Sequence, residues 1–527
     1  MMLEEKTRMA ADPPAAVENP VDPAFDEALY LRAFPDIAEA VRRGGLASGL
    51  AHFRASGRAE DRLAKPEYRV LVDNPAGPPP PVTVDTLTVS RSGAALLTGW
   101  TDDRRDALTG ISLETQDGAR HVWTVFPRVA RPDVGRTIDH AAAGHRFGFF
   151  LVGGAGETQG AGTENGTAVF HFASGARTTL THAPALVGDA VLRDLVLSAL
   201  PAAMGAGDDP ALIRDMLDQD LGARIATLNR SIASQSRSRC HIERIGPSRA
   251  HYLGSIITSS RGPVEQRAPW LALTVTGADA PAHEFIHVVT DPDQFEAAAR
   301  AAHVTEKTLG VPQTVVLHPG GDPAGAGEEA AGIARSGRLI FMDQTVFPRD
   351  PDWMPRHAAV VADAPEAQTR LFGGLLYHAD GSLAQGGYYF DKEITMTPRG
   401  EDTPRRVSQI RLNRVTHPAP AAASALHQPH PVAGVPAAFL STSRAWFERL
   451  GGFTRSYDRA ALEDIDLCLR ASREGFPAWV HPLRFWYFER RGALKPAPSR
   501  GGALLNAWLF HQRWHALIPS TLANGEG

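Results

Sequence analysis

The chain has 527 residues, more than a single hydrophobic core usually organises, so three or four units are expected. Hydrophobic residues make up 43% and charged residues 21%; a formal net charge of −5 without any long basic run argues against a nucleic-acid binder. Two cysteines, Cys240 and Cys468, exclude a disulfide framework and fit a reducing, cytoplasmic setting.

Residues 1–22 are polar and rich in Pro and Ala, which predicts a disordered lead without the apolar core of a signal peptide. No stretch reaches the roughly 18 apolar residues of a membrane-spanning helix, so any membrane association is expected to be peripheral, through partners. Over residues 23–65, FDEALYLRAFPDIAEAVRRGG spaces Leu29, Tyr30, Phe34, Ile37 and Val41 helically, and Gly44-Gly45 ends the run. A second short helix follows, giving a small α-helical module. DNPAGPPPP is a stiff linker. VTVDTLTVS, ALLTGW, ISLETQ, HVWTVF, RFGFFLV and AVFHF predict a β-sandwich over 83–182, with Trp100 and Trp123 as core or edge aromatics. Residues 185–238 read as a helical bridge.

The remainder, 250–518, alternates strands with helices. LGSIIT, EFIHVVTD, TVVLHP and RLIFMD are strands, and DQFEAAARAAHVTEKTLG and EEAAGIARSG are helices ended by glycine. That order predicts an α/β domain with a mostly parallel sheet covered on both faces. Ligands bind such sheets at the carboxyl ends of strands, which points to Thr258, Asp291 and Asp343. Asp291 before Pro292 reads equally well as a helix N-cap. His283-Glu284-Phe285-Ile286-His287 matches the H-E-x-x-H zinc signature only formally, because that chemistry needs a helix and this is a strand pattern. The glycine cluster GGDPAGAG (320–327) is a weak phosphate-loop signal, and HQPHP, with His427 and His430, reads as a solvated loop. In ALEDIDLCLR the acidic pair Glu463 and Asp464 opens a helix whose buried face is Ile465, Cys468 and Leu469. Carboxylates are favoured at a helix N-terminus, which is also the bland reading of the pair, and a carboxylate there can serve as a general base. Asp466 is expected to face away or to cap.

Several ordered segments carry a resemblance: RLIFMDQTVFPRDPDW, GGLLYHADGSLAQGGYYF, VAGVPAAFLSTSRAWFERLGGF, ALEDIDLCLRASREGFPAWVHP, FWYFERRG and LLNAWLFHQRWHAL. Together they resemble family 2 glycosyltransferases of the GT-A type, in particular a bacterial group with N-terminal extensions. The resemblance implies transfer with inversion of a sugar from a nucleotide-diphosphate donor to a glycan or lipid-linked acceptor, in surface polysaccharide synthesis. It implies Asp464 as base with Glu463 in support, and Thr258, Asp291, Asp343, Gly434 and Arg490 around the nucleotide sugar. It also implies a divalent cation, Mg or Mn, at Asp343. Two positions depart from the family. Thr345 stands where the last acid of Asp-x-Asp is expected, and Tyr487 where a late histidine is expected. Asp343 then holds the metal alone, or Arg490 or Arg491 neutralises the diphosphate, or the chain is a catalytically impaired GT-A homologue acting as a glycan-binding or assembly protein.

Overall fold

The computed structural model describes residues 35–57, 80–114, 120–124, 126–138, 145–153, 166–182, 185–203, 216–237, 240–260, 264–275, 279–319, 323–364, 366–399, 402–416, 428–458, 462–488 and 500–518, with single residues 25, 27, 30, 31 and 214. The lead at 1–22, most of the proline linker, His427, Arg490 and Arg491 lie outside the described residues.

In the first module the helix Pro35–Arg42 and the turn Gly49–His52 enclose Phe25, Tyr30, Ile37 and Phe53. The Glu27 carboxylate accepts the amides of Gly49 and Leu50 at 2.6 and 2.9 Å, capping the second turn from a distance in sequence. Among the described residues two sheets follow, one of four antiparallel strands and one of five, antiparallel except where the edge strand Ala185–Val187 pairs in parallel with Val82–Ser90. Val84, Leu97, Ile111, Phe149 and Phe170 alternate inward from both sheets to make the core between them. Trp123 is 5% exposed within that core and donates its indole N–H to the Val152 carbonyl at 3.2 Å, so it is a core aromatic. The strand Arg177–His182 and the helix Pro132–Ile138 were not anticipated from the sequence.

The bridge consists of two helices, Asp189–Ala203 and Gly222–Arg237. They do not stand apart from their neighbours. Leu96, Phe150 and Val152 of the sandwich, Leu197, Leu200 and Ile225 of the bridge, and Leu505, Phe510 and Trp514 of the closing helix Arg500–Trp514 share one core. A side-chain carbon at Gly501 would lie 1.9 Å from the Leu197 carbonyl oxygen, so only glycine lets the closing helix rest backbone-to-backbone on the bridge.

The α/β region is a mixed sheet with nine strands along its main path. In order they are His241–Ile245, Gln313–Leu317, His283–Val289, Gly254–Ser260, Arg338–Met342, Phe439–Ser443, Phe372–Tyr377, Ala478–Tyr487 and Val346–Pro348. The four strands from Gln313–Leu317 to Arg338–Met342 are parallel; Phe439–Ser443 runs against them. The mostly parallel sheet of the sequence reading is mixed: Phe372–Tyr377 and Ala478–Tyr487 pair in parallel and run with the first four strands, whereas Phe439–Ser443 and the edge strands His241–Ile245 and Val346–Pro348 run against them. Its first edge strand, His241–Ile245, also begins before residue 250. HEFIH is a strand, with the Glu284 carboxylate held by Arg335 at 2.7 Å and no hydrolase geometry. Pro323–Ile333 is helical, so GGDPAGAG is not a loop beyond residue 322, and Gly327 packs beneath Phe453. His430 opens the short strand His430–Val432 on Ala478–Tyr487, where a loop was expected. No helix among the described residues is long and apolar enough to cross a membrane.

Burial leaves an acid-sensitive signature. His287 and His357 are 2% and 3% exposed, and burial holds both imidazoles down to about 3. In the unfolded chain they take up protons near pH 6.5. The stability they contribute is therefore complete above that pH and drains away as pH falls from 6.5 toward 3, at up to about 1.4 kcal/mol per pH unit for each group. His357→Gln should flatten this decline between pH 7 and 5. Urea midpoints at the two pH values measure it, and an unchanged slope would count against the buried-neutral assignment.

Candidate functional site

Parallel strand order puts the opening of the sheet between Gly254–Ser260 and Arg338–Met342. The second and third parallel strands lie on one side of Gly254–Ser260 and the fourth on the other, a topological switch point. Ile257 is level with Phe341, which brings the Asp343 turn to the carboxyl edge of this opening.

That turn is built tightly. The Asp343 carboxylate accepts from the Thr345 amide at 2.9 Å and from the Thr345 hydroxyl at 2.7 Å, both on Oδ1. The Asp343 amide donates to the Ala438 carbonyl at 3.0 Å, and the Phe488 amide donates to the Thr345 carbonyl at 2.9 Å. Tyr487 pairs with Val346. Thr345 and Tyr487, the two departures from the family pattern, therefore stand side by side.

The acidic helix Glu463–Arg473 reaches the same turn from the other side. Asp464 Oδ2 accepts the Ala437 amide and Oδ1 the Ile465 amide, each at 2.8 Å. The Asp343 main-chain amide and the Asp464 carboxylate thus bond adjacent residues, Ala438 and Ala437, of one short turn. Gly434 permits this approach: a side-chain carbon there would lie 3.1 Å from Ile465 Cδ1 and 3.5 Å from Cys468 Cβ. Its place in the structure is beneath the acidic helix, where it packs. Glu463 is 8% exposed at the helix start. Tyr388 closes the cluster. Burial first, then the Asp464 charge, pushes its phenol well above the usual tyrosine range, with Tyr487 and Glu463 also close enough to act on it. Tyr388 donates its amide to Gly434 and was not singled out in the sequence, although it follows the GG pair of GGYYF that turns the chain here.

Asp466 does not face away or cap, as was expected. It is fully buried and accepts from Thr454, Tyr457, Arg470 and Trp514 at 2.5, 3.1, 2.9 and 2.9 Å. Asp466 therefore ties the acidic helix to the loop before it and to the closing helix. Asp291 sits at the end of its strand but is exposed, with its oxygens accepting from Asp293 N and Gln294 Nε2, both at 3.0 Å. This is the N-cap arrangement. Thr258 is fully buried, its hydroxyl without a hydrogen-bond partner among the described residues, and is level with His287 on the neighbouring strand. Near them Arg267, 4% exposed, has no hydrogen bond on any guanidinium nitrogen among the described residues, and burial draws it down to about 10. Thr258 is therefore part of a buried polar layer beneath the helix Arg267–Thr274, below the rim that holds Asp343.

Along the rim runs a cleft of about 700 Å³, lined by Gln266, Trp270, Thr345, Phe347, Arg349 and Trp486 among others. The Arg349 guanidinium lies 4.5 Å from the Trp486 ring and 5.1 Å from that of Tyr377. Neither Arg349 nor Trp486 was expected as a site residue. Their only sequence signal is a cation four residues after Thr345 and an aromatic run, FWYF, in the strand beside it.

A divalent cation finds no ligand set here. Asp343 Oδ1 is committed to Thr345, and among the described residues no group of three His, Cys, Asp or Glu side chains converges. The threonine hydroxyl is turned onto the aspartate and the neighbouring phenol is no ligand for Mg or Mn of the usual kind.

No family model matches the sequence, and no curated protein matches it. Among solved structures the chain is similar to GalNAc-T7 with UDP, GalNAc and Mn2+, at 12% identity and a TM-score of 0.29 over 45% of this chain and 44% of that one. It is also similar to the mannosyltransferase PcManGT from Pyrobaculum calidifontis in complex with GDP-Man and Mn2+, at 12% identity and a TM-score of 0.32 over 59% of this chain and 84% of that one. The chain thus spans less than half the length of the first of these. Superpositions this loose leave the functional argument to the residues themselves.

Proposed function

We propose that residues 250–518 form a GT-A-type glycosyltransferase domain that transfers a sugar, with inversion, from a nucleotide-diphosphate donor to a glycan or lipid-linked acceptor. The carrying observation is the shared turn: the Asp343 main-chain amide and the Asp464 carboxylate, far apart in sequence, bond the adjacent residues Ala438 and Ala437 next to the carboxyl end of Arg338–Met342. In this reading Asp464, fixed by two amides, accepts the acceptor hydroxyl proton as that oxygen attacks the anomeric carbon and the nucleoside diphosphate leaves. Glu463 and Tyr388 shape the acceptor side. Asp343 and the Thr345 turn face the donor. Surface polysaccharide synthesis in the cytoplasm is the setting that the resemblance supplies.

A second reading has its own observation. Thr345 turns its hydroxyl onto Asp343, which suits a chain that keeps the frame as a glycan-binding or assembly protein without turnover. Incubation with a panel of nucleotide sugars separates the two. The enzyme reading predicts release of nucleoside diphosphate from at least one donor, by transfer or slow hydrolysis, and release that is lost in Asp464→Asn. No release from any donor, alongside intact glycan binding, contradicts it.

A further inference from the structure

We infer that the cleft beside Thr345 holds the diphosphate of a nucleotide through Arg349, without a divalent cation. The inference rests on the nucleotide-sugar reading above and concerns how the same site neutralises charge. A diphosphate carries negative charge that grows on the leaving oxygen during transfer, and either a metal or fixed cations must offset it. The metal option is poor in ligands: Asp343 Oδ1 already accepts twice from Thr345, which leaves Oδ2 as its one oxygen for a cation, and the neighbouring positions offer a hydroxyl already donated and a phenol.

Arg349 has what the cationic option needs. It lines the cleft with Thr345, and its guanidinium is flanked by the Trp486 and Tyr377 rings, which orient a planar cation and leave its N–H edge available. Its charge is not spent elsewhere. The adjacent acid, Asp350, is taken by Arg484 at 2.5 Å and Arg356 at 2.9 Å, and among the described residues no carboxylate lies within ion-pair distance of Arg349. A guanidinium poised between aromatic faces, exposed at a concave surface and unmatched by an acid, fits a bidentate oxyanion such as a phosphate. Glu265 also borders the cleft, and its charge favours placing the phosphates at the Arg349 end and a hydroxyl-bearing sugar or ribose near Glu265.

Calorimetric titration of the full chain with UDP, GDP, ADP, CDP and dTDP tests this, each in EDTA and again with Mn2+. At least one diphosphate should bind with an affinity that changes less than about threefold between the two conditions. Arg349→Ala should weaken it at least tenfold in both, and Arg349→Lys, which keeps charge but loses the planar fork, should fall between. Arg349 is exposed, so both variants should retain the parent's melting temperature. Binding that requires Mn2+, or Arg349→Ala binding as the parent does, overturns the inference while leaving the nucleotide-sugar reading intact. Binding of no diphosphate in either condition overturns that reading, and this inference with it.

Discussion

Asp464→Asn should lower turnover by roughly 10²–10⁴-fold, the usual contribution of a positioned general base, while leaving the melting temperature and donor affinity close to those of the parent. The geometry explains the separation. Asparagine keeps the shape and one acceptor oxygen, so a bond from the Ala437 or Ile465 amide survives, and the helix start loses little. What disappears is the ability to take a proton. Steady-state release of nucleoside diphosphate gives kcat and KM, and titration gives donor affinity. A loss confined to KM would mean that Asp464 binds and does not act as base; unchanged kcat would remove it from the chemistry altogether.

Two residues along the same helix, the opposite result is expected. Asp466→Ala should cost about 3–5 kcal/mol of stability, read from urea midpoints, because the carboxylate it removes is wholly buried and serves four donors. Arg470 is left beside the vacated site, bound to the Leu450 and Gly452 carbonyls but without its acid. The Trp514 indole and Tyr457 hydroxyl lose a partner in a dry core, and each unmet donor adds its own penalty. Asp466→Asn should lose less, since an amide oxygen still accepts from part of the group. Activity falls in both variants through the displaced helix, so stability is the decisive readout. A midpoint within experimental scatter of the parent would show that the network around Asp466 is dispensable.

The contrast between these two acids shows what was legible in the sequence. EDIDLCLR announced an amphipathic helix with acids in its first turn, and the buried face Ile465, Cys468 and Leu469 stands as read. Which acid is buried in the core and which holds the Ala437 turn was decided by partners outside the helix, namely Trp514, Tyr457 and Ala437, and local spacing holds no record of them. The α/β alternation was visible in the four parallel strands because buried strands there are unbroken apolar runs. The antiparallel course of Phe439–Ser443 between Arg338–Met342 and Phe372–Tyr377 was hidden, since period and composition do not encode direction. Asp291 had two readings of equal weight, and its hydrogen bonds to Asp293 and Gln294 are those of a cap. The helix Arg267–Thr274, between two clear strands, was missed because Pro269 within it and its short length weaken any periodic signal. With it went Arg267 and the wall of the cleft. Arg349 was passed over for Arg490 and Arg491, which were nearest to an expected motif in sequence, whereas sheet pairing between Val346–Pro348 and Ala478–Tyr487 sets Arg349 beside Trp486.

The shared core of sandwich, bridge and closing helix bears on the site as well. Ile465 and Leu469 of the acidic helix pack into the same cluster as the bridge helices, so the position of Asp464 depends on residues well outside the α/β sheet.

The central claim is that Asp343 and Asp464 flank one nucleotide-sugar site at the switch point of the sheet. A crystal structure of the chain with a bound nucleoside diphosphate tests it most directly. The diphosphate is expected in the cleft beside Thr345 and Arg349, with the vacant sugar position between it and Asp464. A nucleotide seated elsewhere, away from the turn at Ala437 and Ala438, would contradict it.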